Sequence, residues 1–371
     1  MRDALAEKLL AEVLGWNPED VARERPLLQA LAAFKYDEYE QYSPGMRFVE
    51  SLACWLSQFD PADRSVAYRF MRERLVFCSA QEMNHLVETA YPDYIRPIIL
   101  ERVASEKKLN RRHVGHVAAS PAFRVRQRQC LFLGLSDGAR IDAFRRANRE
   151  LDHEQIWQTH ELSPNRVDEL LAKLDTHVAK IDPEAQNENS KGFRTIVLLD
   201  DFSASGSSYF AKKADGTTSG KVAKFLNSLS NATDPLHQLR CSGGVELIIL
   251  IYMATERAVE HLRSSLANHR VDGVGDVRVE TVQLVPHTIA MVRGNSAEYG
   301  PLIEKYYDSE VFDIHLQKGN TIDAKYGYAD CGLPVVLHHN TPNNSIALLW
   351  SYEDRDIRGL FPRVQRHREM S

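Results

Sequence analysis

The sequence predicts an α/β protein, whose mostly parallel sheet has flanking helices and follows a helical N-terminal domain. Up to residue 105, apolar side chains recur at helical spacing and no alternating pattern interrupts them. From residue 131, short apolar runs alternate with amphipathic segments, which is the order of strands and helices in a parallel sheet. Residues 196–199 are apolar throughout, as in a strand that is buried on both faces.

The helical N-terminal domain, residues 1–105, is predicted from helix-start signals and from one apolar face. Asn17 and Ser43 each stand before a proline, a pair that suits the first turn of a helix. Ser79 begins a capping box with Glu82. The apolar face comprises Phe48, Leu52, Trp55, Leu56 and Phe59. No catalytic motif is evident in this region.

Residues 106–130 are predicted to form a basic hinge before the α/β domain of residues 131–371. The cations of this hinge are Lys107, Lys108, Arg111, Arg112, Arg124, Arg126 and Arg128. A solvated linker is one interpretation, and a contact surface for a nucleic-acid or protein partner is the other. Phe123 is the one aromatic side chain among these cations, and the scarcity of stacking residues favours the linker.

The composition excludes several classes of protein. In 371 residues, 46 Lys and Arg against 51 Asp and Glu give a net charge of −5, which argues against a protein that coats nucleic acid. No apolar run approaches the roughly 20 residues of a membrane span, and the N-terminus lacks a signal-peptide pattern. The five cysteines form no CxxC pair, so neither a zinc ribbon nor a disulfide scaffold is indicated. We therefore expect a cytoplasmic protein.

In the α/β domain, apolar runs predict the strands and one-sided apolar patterns predict the helices. The predicted strands are residues 131–133, 195–199, 245–253, 277–284 and 334–338. Helices are predicted after residues 139 and 163 and over residues 221–229 and 255–266.

The most informative segment follows the strand at residues 196–199. Asp200 and Asp201 come directly after it, where the strand reaches the carboxyl edge of the sheet, and ligands of open α/β sheets bind at that edge. A loop of small residues follows, whose backbone N–H groups and hydroxyls can surround an anion: Ser203, Ala204, Ser205, Gly206, Ser207 and Ser208. Acids followed by an anion-binding loop suit a sugar phosphate. An ordinary serine-rich turn after a core strand is the alternative.

This segment resembles the phosphoribosyl-pyrophosphate signature of type I phosphoribosyltransferases. The shared pattern is four apolar residues, two acids, two further residues and a small-residue loop with Gly and Ser. The resemblance implies that Asp200 and Asp201 hold the ribose 2′- and 3′-hydroxyls. It also implies that residues 204–208 bind the 5′-phosphate.

A second matching element lies upstream, because the family uses an earlier strand–loop–helix to bind the pyrophosphate. The strand at residues 131–133 leads into such a loop, and the residues that the resemblance implies are Ser136, Asp137, Gly138, Ala139 and Arg140. A glycine-containing turn with no ligand is the alternative. The two loops occur in the order that the family uses.

A narrower resemblance covers essentially the whole chain. LFLGLSDGARIDAFRR, IVLLDDFSASGSSYFAKK and HNTPNNSIALLW followed by GLFPR resemble the phosphoribosyltransferase-like family of bacterial conflict systems, including some retrons. This resemblance implies an anti-phage effector. The loop of residues 338–344 either faces the same cleft or is an Asx-rich structural turn.

The resemblance implies phosphoribosyl pyrophosphate, or a related nucleotide, as the ligand, with Mg²⁺ bound to its pyrophosphate. Transfer or hydrolysis would occur at the anomeric carbon of the ribose. We expect Asp201 to stabilise the positive charge of the sugar ring and Asp200 to bind the hydroxyls. The alternative is a non-catalytic module that senses a phosphoribosyl ligand and acts through protein or nucleic-acid partners.

Other motifs are weaker. Residues 134–138 fit G-x-S-x-G, which predicts a serine hydrolase with Ser136 as nucleophile and Asp200 and His338 as partners. The helical region before this motif and the missing oxyanion loop argue against that interpretation. Residues 216–222 fail the P-loop spacing, and His113-x-x-His116 lacks a further metal ligand.

Overall fold

The computed structural model describes residues 3–185, 191–213 and 215–364. The chain forms two compact units, which are Met1–Met83 with Pro286–Ser371, and Asn84–Val285. We call them the first and second unit. None of the helices in the described residues is long and apolar enough to cross a membrane.

The strands of the described residues, in chain order, are β1 (Val76–Cys78), β2 (Cys130–Gly134), β3 (Ile156–Trp157), β4 (Thr195–Ser203), β5 (Ala211–Lys212), β6 (Thr218–Ser219), β7 (Val245–Thr255), β8 (Val274–Val285) and β9 (Val335–Leu337). The α-helices are α1 (Asp3–Leu14), α2 (Pro18–Phe34), α3 (Phe48–Ser57), α4 (Pro61–Arg74), α5 (Ala80–Thr89), α6 (Arg96–Glu106), α7 (Val114–Ala119), α8 (Pro121–Arg128), α9 (Ile141–Ala147), α10 (Pro164–Ile181), α11 (Lys221–Ser230), α12 (Glu256–Ala267), α13 (Gly300–Lys305), α14 (Ile314–Gln317) and α15 (Ala347–Trp350).

The second unit is built on a five-stranded parallel sheet with the order β3-β2-β4-β7-β8. The chain goes from β2 outward to β3 and then returns to β4 on the other side of β2. The carboxyl ends of β2 and β4 therefore form the topological switch point, where open α/β sheets bind ligands. The predicted α/β fold is confirmed, and β4 continues through Asp200 and Asp201 to Ser203.

The helices of the second unit pack on this sheet through the predicted apolar faces. The buried side chains of α10 and α11 are Val167, Leu170, Leu174 and Val178, and Val222, Phe225, Leu226 and Leu229. Each fully buried side chain of this kind contributes about 1.5–3 kcal/mol. This packing holds the strands and the loops at their ends in fixed positions.

The first unit joins the N-terminal helices to residues from the C-terminal part of the chain. Its predicted helical face, from Phe48 to Phe59, is buried as expected. Trp55 Nε1 donates to the carbonyl of Leu348 at 2.9 Å, and Tyr39 donates to that of Phe361 at 3.0 Å. The predicted domain boundaries at residues 105 and 130 therefore differ from the division between the units.

Two predictions about strands are wrong. The N-terminal region is predicted to be free of strands, but it contains β1, which pairs in parallel with β9. The strand predicted at residues 334–338 is therefore present as β9, but it belongs to this two-stranded sheet and not to the main one. Each of these strands has three residues, too few to show an alternating pattern.

The helix-start predictions are confirmed at Asn17 and Ser79 and wrong at Ser43. Asn17 forms a capping box at the start of α2, and Ser79 accepts from the backbone N–H of Glu82 at 3.1 Å. The next helix, α3, begins only at Phe48. The Phe48 backbone N–H donates to Asp37 at 2.8 Å, so a residue distant in sequence satisfies this helix end.

The predicted basic hinge is largely helical, and two of its cations are buried. Arg126 and Arg128 are 7% and 5% exposed. Arg126 lies 3.4 Å from Glu106 and 3.5 Å from Glu246, and Arg128 Nε donates to His177 at 3.1 Å. These two cations therefore stabilise the second unit and do not face a partner. The remaining five stay exposed, namely Lys107, Lys108, Arg111, Arg112 and Arg124.

Candidate functional site

The predicted site residues come together at the carboxyl ends of β2 and β4. Ser136 Oγ donates to Asp200 Oδ1, so the loop after β2 contacts the acid pair directly. A Cβ built on Gly138 would lie 2.4 Å from Asp201 Oδ2, which leaves no room for a side chain at this position. The two loops and both acids therefore lie together at this edge of the sheet.

Asp200 is buried at the centre of this site and is 1% exposed. Its Oδ2 accepts from the Tyr209 hydroxyl at 2.8 Å and from Lys221 Nζ at 2.9 Å. Its Oδ1 accepts from the Ser136 hydroxyl and from the backbone N–H of Asp201. Burial, and then the charge of Asp201, raise the pKa of Asp200 above its usual range, and the ammonium of Lys221 opposes this rise.

The expected role of Asp200 as a ligand for ribose hydroxyls does not suit this geometry, because both of its oxygens already accept hydrogen bonds within the protein. Asp201 is only half-buried, and a Cβ on Gly138 would touch its carboxylate. Its Oδ1 accepts from the backbone N–H of Phe202 at 2.8 Å. The two adjacent acids thus differ in their burial and in their contacts.

The loop after β4 has the form of an anion-binding loop. Gly206 has a φ of +75°, and the hydroxyls of Ser205 and Ser207 lie 2.8 Å apart. The backbone amides of Ser205, Gly206 and Ser208 have no acceptor among the described residues. Successive unpaired N–H groups in such a turn create a concave positive site for a phosphate.

This loop rests against the first turn of α12. Thr255, the N-cap of that helix, donates from its hydroxyl to the carbonyl of Ala204 at 2.5 Å. His261 Nε2 lies 2.8 Å from the carbonyl oxygen of Phe210, at the far end of the loop. A Cβ on Gly206 would lie 3.0 Å from the Ala258 carbonyl oxygen, so only glycine lets the loop approach this closely.

The helix that follows the loop in sequence, α11, does not point unpaired amides at it. In sequence, the antiparallel hairpin of β5 and β6 separates the loop from the helix. The backbone N–H of Lys221 donates to the carbonyl of Ser208 at 3.0 Å, and that of Val222 donates to Tyr209 at 2.9 Å. The chain itself thus satisfies the start of α11.

The upstream loop carries unpaired amides as well. The backbone N–H groups of Asp137 and Gly138 have no acceptor in the part of the chain that the structure describes. The carbonyl of Ala139 accepts from the buried Tyr252 hydroxyl at 2.9 Å, which anchors the loop to β7. Arg140 follows in the left-handed region, with a φ of +47°, and is the N-cap residue of α9.

Ser203 is buried, unlike the other serines of this loop. It is 3% exposed, and its hydroxyl has no hydrogen-bond partner in the described residues. Its predicted role in ligand binding is therefore not supported by its position, because it lies inside the end of β4.

The structure also contradicts the serine hydrolase interpretation. Ser136 donates directly to Asp200, whereas a catalytic triad places a histidine between its serine and its acid. His338 belongs to the first unit, where it is 1% exposed and lies 3.9 Å from Glu40. Nor do His113 and His116 belong to any group of three or more metal-ligating side chains among the described residues.

Sequence reasoning missed three side chains that organise this site: Tyr209, Lys221 and Tyr252. Tyr209 directly follows the predicted phosphate loop, and Lys221 begins the predicted helix 221–229. The contact of Lys221 with Asp200 depends on how the β5–β6 hairpin returns the chain, and that of Tyr209 depends on how the loop after β4 folds back. No local pattern reveals either contact. Tyr252 lies inside an apolar strand, where a tyrosine is an ordinary core residue.

The parallel sheet, the acid pair at its switch point and the two small-residue loops together define a phosphoribosyltransferase-like protein. The family PRTase-CE, which is phosphoribosyltransferase-like, matches residues 52–363, and the chain belongs to that family. The matched range includes parts of both units. No curated protein and no solved structure shows significant similarity to the chain.

Proposed function

We propose that the protein binds phosphoribosyl pyrophosphate, or a related phosphoribosyl nucleotide, and reacts it at the anomeric carbon. One observation supports this proposal most directly: two loops with unpaired backbone amides flank the half-buried carboxylate of Asp201. The unpaired amides are those of Asp137, Gly138, Ser205, Gly206 and Ser208. Such a site suits a ligand with anionic groups on either side of a diol.

The loop after β4 would bind the 5′-phosphate, and the loop after β2 would bind the pyrophosphate. Hydrogen bonds from backbone amides to phosphate oxygens are charge-assisted and contribute about 1.5–3 kcal/mol each. The first turn of α12, which supports the β4 loop, adds the favourable end of a helix dipole.

Asp201 would accept hydrogen bonds from the ribose hydroxyls, because one carboxylate offers two acceptor oxygens. When the bond from the anomeric carbon to pyrophosphate breaks, pyrophosphate leaves with the electron pair and the sugar ring gains positive charge. The carboxylate of Asp201 would stabilise that charge. An acceptor nucleophile, or water, then forms the new bond at this carbon and loses a proton to solvent.

Mg²⁺ would bind to this site together with the pyrophosphate. It would neutralise the negative charge of the pyrophosphate and so make it a better leaving group. Among the described residues, no group of three or more carboxylate, histidine or cysteine side chains is placed to hold a metal ion. The cation would therefore be held mainly by the ligand, with the exposed carboxylate of Asp137 beside it.

A second candidate function is ligand sensing without turnover, and the burial of Asp200 favours it. Its carboxylate is already occupied by Tyr209, Lys221 and Ser136, so it is not available as a general base. Such a sensor would act through a protein or nucleic-acid partner. The narrower resemblance to bacterial conflict systems suggests an anti-phage role for either function, as a proposal.

The test is calorimetric titration of phosphoribosyl pyrophosphate with Mg²⁺, combined with an assay of pyrophosphate in the same samples. Binding with release of pyrophosphate would establish a transferase or hydrolase, and binding without release would establish a sensor. Asp168→Asn is a matched control for Asp201→Asn, since Asp168 is exposed in the same unit. Failure of the wild-type protein to bind would contradict the proposal.

A further inference from the structure

We propose that Lys221 is a positioning residue of this site, which acts through Asp200 and not through contact with the ligand. Lys221 compensates the charge of the buried Asp200, so that Asp201 is the carboxylate that contacts the sugar. Lys221 also connects the acid pair to the phosphate-binding loop after β4. This inference rests on the proposed function and adds to it a residue that the phosphoribosyl signature does not include.

Lys221 contacts both parts of the site. Its ammonium lies 2.9 Å from Asp200 Oδ2 and 5.4 Å from the centre of the Tyr209 ring. Its backbone N–H donates to the carbonyl of Ser208, the last residue of the phosphate loop, at 3.0 Å. A single residue at the start of α11 therefore connects the acid pair with the loop.

The charges around Asp200 explain why such a residue is needed. Asp200 is 1% exposed and adjoins Asp201 in the chain, and two carboxylates this close destabilise each other's ionised form. The further hydrogen-bond donors to Asp200 are neutral groups, namely the hydroxyls of Ser136 and Tyr209 and the backbone N–H of Asp201. The ammonium of Lys221 is thus the contact that compensates the buried charge.

Loss of Lys221 alone would leave a buried carboxylate without its cation, which is more harmful than loss of both charges. The Asp200 carboxylate would then repel Asp201 or turn toward the ligand's phosphates. Asp200→Asn removes that charge while it keeps an oxygen that can accept from Ser136 or Tyr209. The double variant should therefore recover what the single variant loses.

The experiment measures the Kd for ribose 5-phosphate by calorimetry in the wild type, Lys221→Met, Asp200→Asn and the double variant. Lys224→Met is the matched control, because Lys224 is an exposed lysine in the same helix. We expect Lys221→Met to weaken binding about tenfold, the cost of one charged contact. The double variant should bind about as tightly as Asp200→Asn, and Lys224→Met as tightly as the wild type.

Direct contact between Lys221 and the phosphate would give the opposite pattern and would overturn the proposal. In that case the double variant would bind as weakly as Lys221→Met. The pH profile separates the two roles further. In Lys221→Met, protonation at low pH neutralises the Asp200 carboxylate that the lysine no longer compensates. The Kd of Lys221→Met should therefore approach the Kd of the double variant as the pH falls from about 8 to about 5.5. A constant ratio between these two variants would contradict the positioning role.

Thermal unfolding of the same four proteins distinguishes a failure of this inference from a failure of the proposed function. If the wild type binds no phosphoribosyl ligand, the proposed function fails, but the coupling between Lys221 and Asp200 is still measurable. We expect Lys221→Met to lower the Tm and the double variant to recover most of that loss. Additive changes in Tm would overturn the inference.

Discussion

The two edges of the main sheet each bury a carboxylate, but the charged side chains around the two carboxylates differ. At the amino edge, Glu246 begins β7 and is 8% exposed. Three arginines surround it: Arg102 at 2.7 Å, Arg278 at 3.4 Å and Arg126 at 3.5 Å. At the carboxyl edge, Asp200 has one lysine at 2.9 Å and an acid as its neighbour in the chain.

This difference separates a structural cluster from a candidate functional site. Around Glu246 each arginine pairs with more than one carboxylate, because Asp276 and Glu106 join the cluster. The cluster connects α6, α8 and β8 to the start of β7. Around Asp200, burial first and then the charge of Asp201 raise the pKa of its carboxyl, although Lys221 opposes the rise. Perturbed acids of this kind concentrate at functional sites.

The largest effect is expected from Asp201→Asn, which tests the functional side of the comparison. Asn keeps one acceptor oxygen but loses the charge that would meet the ribose hydroxyls. We expect the affinity for phosphoribosyl pyrophosphate to fall about 100-fold, the value of two charged hydrogen bonds, with little change in Tm. Calorimetry beside the control Asp168→Asn checks this. Unchanged affinity would place the ligand elsewhere.

Substitution of Glu246 at the amino edge should lower the stability of the protein but leave its ligand affinity unchanged. Glu246→Gln would remove the buried carboxylate that Arg102, Arg278 and Arg126 share at the start of β7. The buried guanidinium of Arg126 would keep Glu106 alone as its charged partner among the described residues. We expect a loss of about 3 kcal/mol in the free energy of unfolding, which urea denaturation would measure. Ligand affinity of the folded protein should stay within about twofold of wild type, within experimental variation. A selective loss of affinity would remove the distinction between the two edges.

Gly138→Ala tests the contact between the upstream loop and the acid pair. The added Cβ would lie 2.4 Å from Asp201 Oδ2, so either the loop or the carboxylate must move. We expect the affinity for phosphoribosyl pyrophosphate to fall about tenfold. Gly115→Ala is the control, since no heavy atom lies within 4 Å of the Cβ it would add. Equal behaviour of the two variants would mean that Gly138 is only part of a turn.

The smallest effect is the pH dependence of stability at Asp200. At low pH this carboxyl is protonated in both the folded and the unfolded chain. Above about pH 3.9 the unfolded chain ionises first, because folding raises the pKa of Asp200, so the proton-linked stability is lost as the pH rises. Urea denaturation from pH 4 to 8 should show Asp200→Asn gaining stability relative to wild type. A relative loss would contradict the sign of the pKa shift.

The local pattern of the sequence predicts β2, β4, β7 and β8 of the main sheet, and it predicts that the acid pair lies at the carboxyl end of β4. It does not predict the two-residue strand β3. The apolar run before Asp200 marks a central strand, and the small residues after it mark a loop at its carboxyl end. The Ser136 and Gly138 loop follows from the same pattern of strand, loop and helix. These features depend on neighbours in the chain, which is why a single sequence reveals them.

The remaining features depend on contacts between distant parts of the chain. The pairing of β1 with β9 joins Val76 to Val335, and neither three-residue strand carries a pattern of its own. Asp200 likewise contacts Tyr209, just before the β5–β6 hairpin, and Lys221, which the hairpin returns to the acid pair. The expectation that Asp200 binds the ribose hydroxyls therefore does not take into account that Tyr209 and Lys221 already occupy its carboxylate.

The most direct test of the account is an NMR titration of the protein labelled with ¹⁵N-glycine. The chain has 19 glycines, and two of them, Gly138 and Gly206, carry unpaired amides in the proposed phosphate-binding loops. Addition of phosphoribosyl pyrophosphate with Mg²⁺ should shift these two signals together, while those of Gly115 and Gly243, which lie in the same unit but outside these loops, stay in place. Saturating ligand that leaves both signals unmoved, or shifts only glycines of the first unit, would contradict the proposed site.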